Sequence, residues 1–245
     1  MDQAKFQLAQ GDAVAWLRTL PASSIDLVIT DPPYESLEKH RAIGTTTRLK
    51  HSKASSNDWF SIFPNDRFPE LFAEVYRVLK KDTHFYLFCD PETMFVAKPE
   101  GEKAGFKFWK PLIWRKDRIG MGYHYRAKYE CILFFEKGKR KLHDLGIADV
   151  IDAARIVGGY PAEKPPEISE ILVTQSSERG DIVIDPFMGS GSAGVAAIRH
   201  GRNFLGNDLC REAVDITRRR LGEEGGSDGF AGAPVDRNQQ LGMIL

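Results

Sequence analysis

The sequence predicts one α/β domain built on a doubly wound sheet, mostly parallel, with one antiparallel strand in an aromatic-rich middle. Three observations predict it. Strand-length apolar runs at Ile25–Thr30, 85–89, 181–185 and Asn203–Asp208 are each ended by an acid or an Asp-Pro step. Segments with a helix's apolar period alternate with these runs. A Gly-rich turn follows one of the strands and opens a helix, the arrangement that holds a ligand over the carboxyl ends of parallel strands. At 245 residues the chain is long enough for one such domain and short for two.

Residues 5–10 alternate as a strand and end at Gly11-Asp12, and 13–20 carry Val14, Leu17 and Leu20 at helical spacing before Pro21 stops the helix. Asp12 therefore falls at a helix N-cap. The run Ile25–Thr30 ends at Asp31-Pro32-Pro33-Tyr34, where neither proline can donate to a ladder and Pro33 holds Pro32 extended. The product is a rigid corner offering a carboxylate, a backbone carbonyl and an aromatic face. Those groups suit a planar, amine-bearing ring such as a nucleobase.

Residues 35–58 are polar and basic, with Lys39, His40, Arg41, Arg48, Lys50, His51 and Lys53. Beside a base pocket so long a connection reads as a clamp that orders on nucleic acid; the alternative is a solvated basic loop. Residues 68–79 have a helix's apolar period, 85–89 form a buried strand, and 93–104 read as a helix weakened by Pro99 and Gly101. Strands at 106–114 and 129–135 are joined by 115–128, which interleaves Arg115, Lys116, Arg118, Arg126 and Lys128 with Tyr123, His124 and Tyr125. That mixture suits phosphate contact plus stacking on an unpaired base, and an ordinary exposed hairpin is the alternative.

Residues 148–157 read as a short helix and 167–176 as an amphipathic one. The strand 181–185 then enters Asp185-Pro186-Phe187-Met188-Gly189-Ser190-Gly191-Ser192 and the helix 192–200. Gly189, Gly191 and Gly194 satisfy a dinucleotide fingerprint literally, and Asp208 falls where its ribose acid would. Spacing alone suggests a nicotinamide or flavin oxidoreductase. Charge argues otherwise, because Asp185 at the entrance of the turn repels a pyrophosphate and favours a ligand carrying ammonium or sulfonium groups. Residues 211–221 form the closing helix, and 222–245, rich in Gly and polar residues, read as a flexible tail.

Net charge is zero, yet residues 103–141 hold 12 Lys/Arg against three acids, a local face basic enough for phosphates. Cys89, Cys131 and Cys210 are isolated and without metal spacing, so they read as reduced thiols, with no metal expected. No apolar stretch approaches the roughly 20 residues that span a bilayer, and the polar start lacks a signal pattern, which reads as a cytoplasmic protein.

Asp31-Pro32-Pro33-Tyr34 resembles the catalytic motif of amino-methyltransferases that use S-adenosylmethionine, and the stretch Asp185 to Ser192 resembles their cofactor motif. The catalytic motif comes first here, an order similar to the β class of DNA amino-methyltransferases, a circular rearrangement of the Rossmann-like methyltransferase fold. The resemblance implies a methyl group passed from S-adenosylmethionine to N6 of a flipped-out adenine in double-stranded DNA. N4 of cytosine is the alternative within the class, and a non-catalytic nucleic-acid-binding subunit the alternative outside it. It implies that Asp31, Pro32, Pro33 and Tyr34 form the catalytic corner. Asp12 would face the cofactor's adenine, Asp208 its ribose, and Asp185, Phe187, Gly189, Ser190, Gly191 and Ser192 the rest of it. Lys164 either meets the cofactor's carboxylate or caps a surface turn; Tyr160 stands where relatives often have His. A homodimer and a cognate restriction endonuclease are further implied partners.

Overall fold

The computed structural model describes residues 3–35, 61–120, 124–158 and 163–229. Along the chain these form β1 (Lys5–Gln10), α1 (Ala13–Thr19), β2 (Ile25–Thr30), α2 (Phe68–Val78), β3 (Leu79–Cys89) and α3 (Pro91–Lys103). They continue through β4 (Lys107–Arg115), β5 (Tyr129–Lys137), β6 (Val150–Asp152), α4 (Pro166–Ser176) and β7 (Ile182–Asp185). The last elements are α5 (Ser192–Arg199), β8 (Asn203–Asp208), α6 (Arg211–Glu223) and β9 (Ser227–Asp228).

The strands make one sheet in the order β6-β4-β5-β3-β2-β7-β8-β1-β9. Only β5 runs against the rest among the described residues, pairing antiparallel with β3 and β4 on its two sides. The expected single antiparallel strand is thus β5. Parallel strands covered on both faces need no polar alternation, and all six residues of β2 are buried. Val28 packs with α1 and α2 in one apolar cluster; Leu27 and Ile29 pack with α4 and α5 in the other. Right-handed crossovers explain this layering. The chain leaves β2 toward β3 and leaves β7 toward β8, in opposite directions, so the intervening helices fall on opposite faces. Where the direction reverses, β2 and β7 lie side by side with Leu27 opposite Val183.

Four sequence expectations change. Residues 148–157 do not form a helix; Val150–Asp152 adds an edge strand to β4. Strand β3 starts at Leu79, earlier than its apolar run, because its opening polar residues still belong to the sheet. Pro99 lies inside α3 without ending it, and Phe95, whose carbonyl loses its helical donor, is an exposed residue. Gly101 in the same helix is a packing device, since a Cβ there would sit 2.6 Å from Phe135 Cε1. Finally, the domain continues past residue 221: α6 runs to Glu223, and β9 pairs with β1, so the expected tail from 222 is contradicted as far as 229. Residues 230–245 lie outside the described residues.

Candidate active site

A cavity of about 560 Å³ opens at the carboxyl ends of β2, β7 and β8, within the size range of small-molecule sites. It lies where the winding direction reverses, as expected for an open α/β sheet. Asp31, Asp185 and Asp208, separated in sequence by up to 177 positions, all line it. So do Pro32, Pro33, Tyr34, Phe187, Gly189, Ser190 and Ser192.

The catalytic corner is held from outside. The Pro33 carbonyl accepts from the Phe63 N–H at 2.7 Å, in an isolated bridge between Tyr34 and Phe63. No N–H among the described residues donates to the Pro32 carbonyl, which leaves it as an acceptor. Tyr34 is 7% exposed and packs into the apolar cluster while lining the cavity. Asp31 Oδ2 pairs with Lys164 Nζ at 2.5 Å, and Oδ1 is buried with no hydrogen-bond partner among the described residues. Such an orphan acceptor is costly unless a ligand supplies the donor.

Lys164 is therefore neither a surface cap nor a free cofactor contact. Its ammonium, 12% exposed, bridges Asp31 and Glu130, the latter at 3.2 Å. Glu130 in turn meets Lys116 Nζ at 2.5 Å. Burial pushes the Asp31 carboxyl up against the pull of Lys164, while the two flanking lysines hold the Glu130 carboxyl below its usual range. The two carboxylates raise Lys164 despite its burial. Charge within the chain Lys116–Glu130–Lys164–Asp31 sums to zero.

Asp185 is 6% exposed, and its Oδ1 accepts from Thr30 Oγ1 at 2.6 Å and Phe187 N at 3.0 Å. Both bonds fall on one oxygen, so Oδ2 is left for a cationic ligand. Burial pushes its carboxyl up to about 7. Asp208 folds the turn as well as facing the cavity: its two oxygens accept from Gly189 N at 2.9 Å and Cys210 N at 2.8 Å. Burial raises it too.

At the other end of the cavity Asp12 caps α1 through Ala15 N and takes a bidentate grip from Arg67 at 2.7 and 3.0 Å. That hydrogen bonding holds its carboxyl down to about 2. Arg67 lies over the Phe63 ring, which meets Phe187 edge-on at 5.0 Å. Sequence reasoning missed Arg67, Phe63 and Glu130. Phe63 and Arg67 stand in a short irregular stretch with no period to mark them.

Of the Gly-rich turn, Gly189 and Ser190 face the cavity but Gly191 does not. It adopts φ 81° at the start of α5, and a Cβ there would lie 2.5 Å from Thr217 Cγ2 of α6. The Ser192 hydroxyl donates to the Lys164 carbonyl at 2.7 Å, and Arg220 joins the Ser190 carbonyl to Glu163. The cofactor turn and the segment carrying Lys164 are thus one tied unit.

The basic connection after β4 is divided. Lys116 is 14% exposed and committed to Glu130, which removes it from the phosphate-contacting set. Arg115 is exposed but gripped by Asp152 through two hydrogen bonds. Arg118, His124, Tyr125 and Arg126 are exposed. Lys39, Arg41, Arg48, Lys50, Tyr123 and Tyr160 lie outside the described residues.

The cavity offers carboxylates where cationic groups would sit, an apolar wall of Phe187 and Phe63, and an unfilled acceptor on Asp31. These features fit S-adenosylmethionine beside an amine substrate and disfavour a pyrophosphate. Fold and site together define a methyltransferase that uses S-adenosylmethionine. A family model described as DNA methylase, of the N6/N4 type, matches residues 25–156 and 146–219, and the chain belongs to that family. The DNA adenine methyltransferase YhdJ of Escherichia coli K12 is 28% identical over 87% of this chain and 82% of its own length. TTHA0409 of Thermus thermophilus, solved in complex with S-adenosyl-L-methionine as a DNA modification methylase, superposes with a TM-score of 0.67 at 24% identity, covering 92% and 99% of the two chains. The cytosine-N4-specific PvuII DNA methyltransferase reaches the same TM-score at 16% identity over 92% and 95%. Among the described residues no helix is long and apolar enough to cross a membrane.

Proposed function

We propose that the protein methylates N6 of adenine in double-stranded DNA after flipping the base into this cavity. One observation carries the reading: an orphan carboxylate oxygen on Asp31 beside the open carbonyl of Pro32, two acceptors for the two hydrogens of one exocyclic amine. The amine's lone pair is delocalised into its ring, so it is a weak nucleophile. Holding both hydrogens in the Asp31–Pro32 corner favours a pyramidal nitrogen with its lone pair aimed along the cavity. Tyr34 supports the base face. When bound, S-adenosylmethionine supplies an electrophilic methyl group on cationic sulfur, and the broken bond's electron pair stays on that sulfur. Asp185 Oδ2 meets the positive charge of that ligand and Asp208 its ribose hydroxyls, with Phe187 and Asp12 framing its adenine end. The nitrogen gains a carbon bond and sheds one proton, for which Asp31 Oδ1 is the nearest base. A base inside a duplex cannot reach the corner, so extrusion is required.

Adenine over cytosine is supported by the acid at the first position of the corner and by the adenine specificity in the name of the E. coli relative. N4-cytosine transfer is the second reading, because the PvuII enzyme shares this fold. A second copy of the chain, a cognate restriction endonuclease and a cytoplasmic setting belong to the same proposal. Its test is incubation with unmethylated bacterial DNA and methyl-labelled S-adenosylmethionine, then digestion to nucleosides and mass spectrometry. Labelled N6-methyladenine is expected, and none with Asp31→Ala although that variant still binds the methyl donor. Labelled N4-methylcytosine would overturn the choice of base, and no labelled nucleoside would overturn the reading.

A further inference from the structure

The chain of charges behind Asp31 has no counterpart in the acceptor corner itself. Ion pairs taken out of water are seldom stabilising in net terms, and four linked members invite a functional explanation. Two geometric facts supply one. Lys164 occupies Oδ2 of Asp31 and no other described group occupies Oδ1, so the ammonium decides which oxygen faces the cavity. Glu130 takes the same ammonium from the other side and is itself held by Lys116, so Lys164 cannot swing toward the cofactor turn without leaving Glu130 buried and short of a partner.

We propose that Lys164 and Glu130 are positioning residues for methyl transfer: together they lock Asp31 with one oxygen presented to the substrate amine and set how tightly that carboxyl holds a proton. This rests on the reading of Asp31 as the amine acceptor. The two act in opposite senses. Lys164 stabilises the ionised carboxylate, whereas Glu130 draws the ammonium away and adds a like charge, keeping Asp31 basic enough to hold the amine's hydrogen. The other titratable or charged groups facing Asp31 are Lys116 at the end of β4, Asp185 of β7, Cys89 of β3 and Tyr34 of its own corner. Tyr34 and Cys89 are pushed up by burial and stay neutral, and Asp185 is common to every variant below.

The test begins with the ligand-free full-length protein. Its aspartate carboxyl carbons are labelled, the Asp31 signal is assigned by its loss in Asp31→Asn, and its titration is followed by NMR. Lys164→Gln should raise the Asp31 pKa and Glu130→Gln should lower it, each by about one unit. Turnover against pH on unmethylated bacterial DNA should move the same way, with the acid limb displaced upward in Lys164→Gln and downward in Glu130→Gln. In Lys164→Gln turnover should drop by about 10²-fold, the scale of a slight misplacement. Lys164→Arg should recover part of that loss. The dissociation constant for S-adenosylmethionine should stay within about threefold in all three, well under the tenfold that 1.4 kcal/mol represents.

An Asp31 titration unmoved by both substitutions, or moved in one direction by both, overturns the proposal. So does a large loss of S-adenosylmethionine affinity in Lys164→Gln with Asp31 unchanged, which would make Lys164 a cofactor contact. If Lys164→Gln fails to fold, Glu130→Gln and Lys164→Arg still decide through the NMR shift. Opposite NMR shifts with no methylated nucleoside from the unaltered protein would instead uphold the charge coupling and sink the proposed reaction.

Discussion

At the scale of single residues, Asp185 ties protonation to both folding and binding. Its carboxyl titrates at about 7 in the fold against 3.8 when unperturbed, because burial disfavours the charge. Folding therefore takes up a proton here. The stability linked to this group is complete below about pH 3.8 and is lost as the pH rises through about 7. A cationic ligand beside Oδ2 favours the ionised form, so binding S-adenosylmethionine should release a proton on the acid side of 7. Calorimetry at about pH 6 in two buffers of different ionisation heat should report that release, and affinity should climb toward about pH 7.5. Asp185→Asn should remove the pH dependence along with much of the affinity; proton release persisting in that variant would assign it to another group. Sequence reasoning reached Asp185, Asp208 and Asp31 because each ends an apolar strand run, which marks the ligand-facing end of a parallel sheet. Lys164 was legible as a residue but not in its role, since its partners come from strands 34 and 133 positions away.

Among the elements, β5 explains why Glu130 escaped notice. An acid at the start of a strand normally lies at the end of the sheet away from ligands. Strand β5 runs backwards, with Cys131 opposite Cys89, so its start joins the carboxyl ends of β3 and the parallel strands beyond. The antiparallel strand was expected, but which residue it would deliver depends on strand order. The helix α5 shows the reverse case: its glycines were read as clearance for a ligand, and the structure makes Gly191 a clearance for α6. Gly191→Ala should be costly on two counts, about 1–2 kcal/mol for a side chain in the left-handed region and about 1–3 kcal/mol for overpacking against Thr217. Thermal unfolding should show a clear fall in Tm, partly restored by adding Thr217→Ser, which removes Cγ2 but keeps the hydroxyl bonded to the Gly189 carbonyl. No recovery in the double variant would place the strain in the backbone alone. Residues 148–157 misled because a three-residue edge strand leaves too short a pattern to outweigh helical spacing.

For the molecule as a whole, the zero net charge conceals a sorted distribution, and the structure sorts it further. Of the cations after β4, Lys116 and Arg115 are spent on Glu130 and Asp152, while Arg126 and Lys128 stand exposed. If that loop follows a DNA backbone, each phosphate contact contributes about 0.9 to the slope of log affinity against log salt. Arg126→Ala and Lys128→Ala should each flatten the slope by about that amount, with Arg115→Ala changing it less. Equal effects from all three would mean that the Arg115–Asp152 pair opens on DNA. The layered architecture was legible from alternating periods, and the crevice from its glycine turn and acid-ended strands. The commitment of basic residues to partners was not, because ion pairing across strands is a property of register rather than of composition.

The first strand of the chain lies between β8 and β9, with Ser227 N donating to the Ala4 carbonyl at 3.0 Å and Gly229 N to Phe6. Beginning and end are thus neighbours on one edge, and the molecule is, in topological terms, nearly a closed ring. Which of its two halves is translated first is then a matter of where the ring was cut. A cut after residue 158, with 229 spliced to 3, would send the same strands to the same places while the ribosome released them in the opposite order. Gene order and spatial order are independent variables in this protein, and its chemistry depends on the second alone.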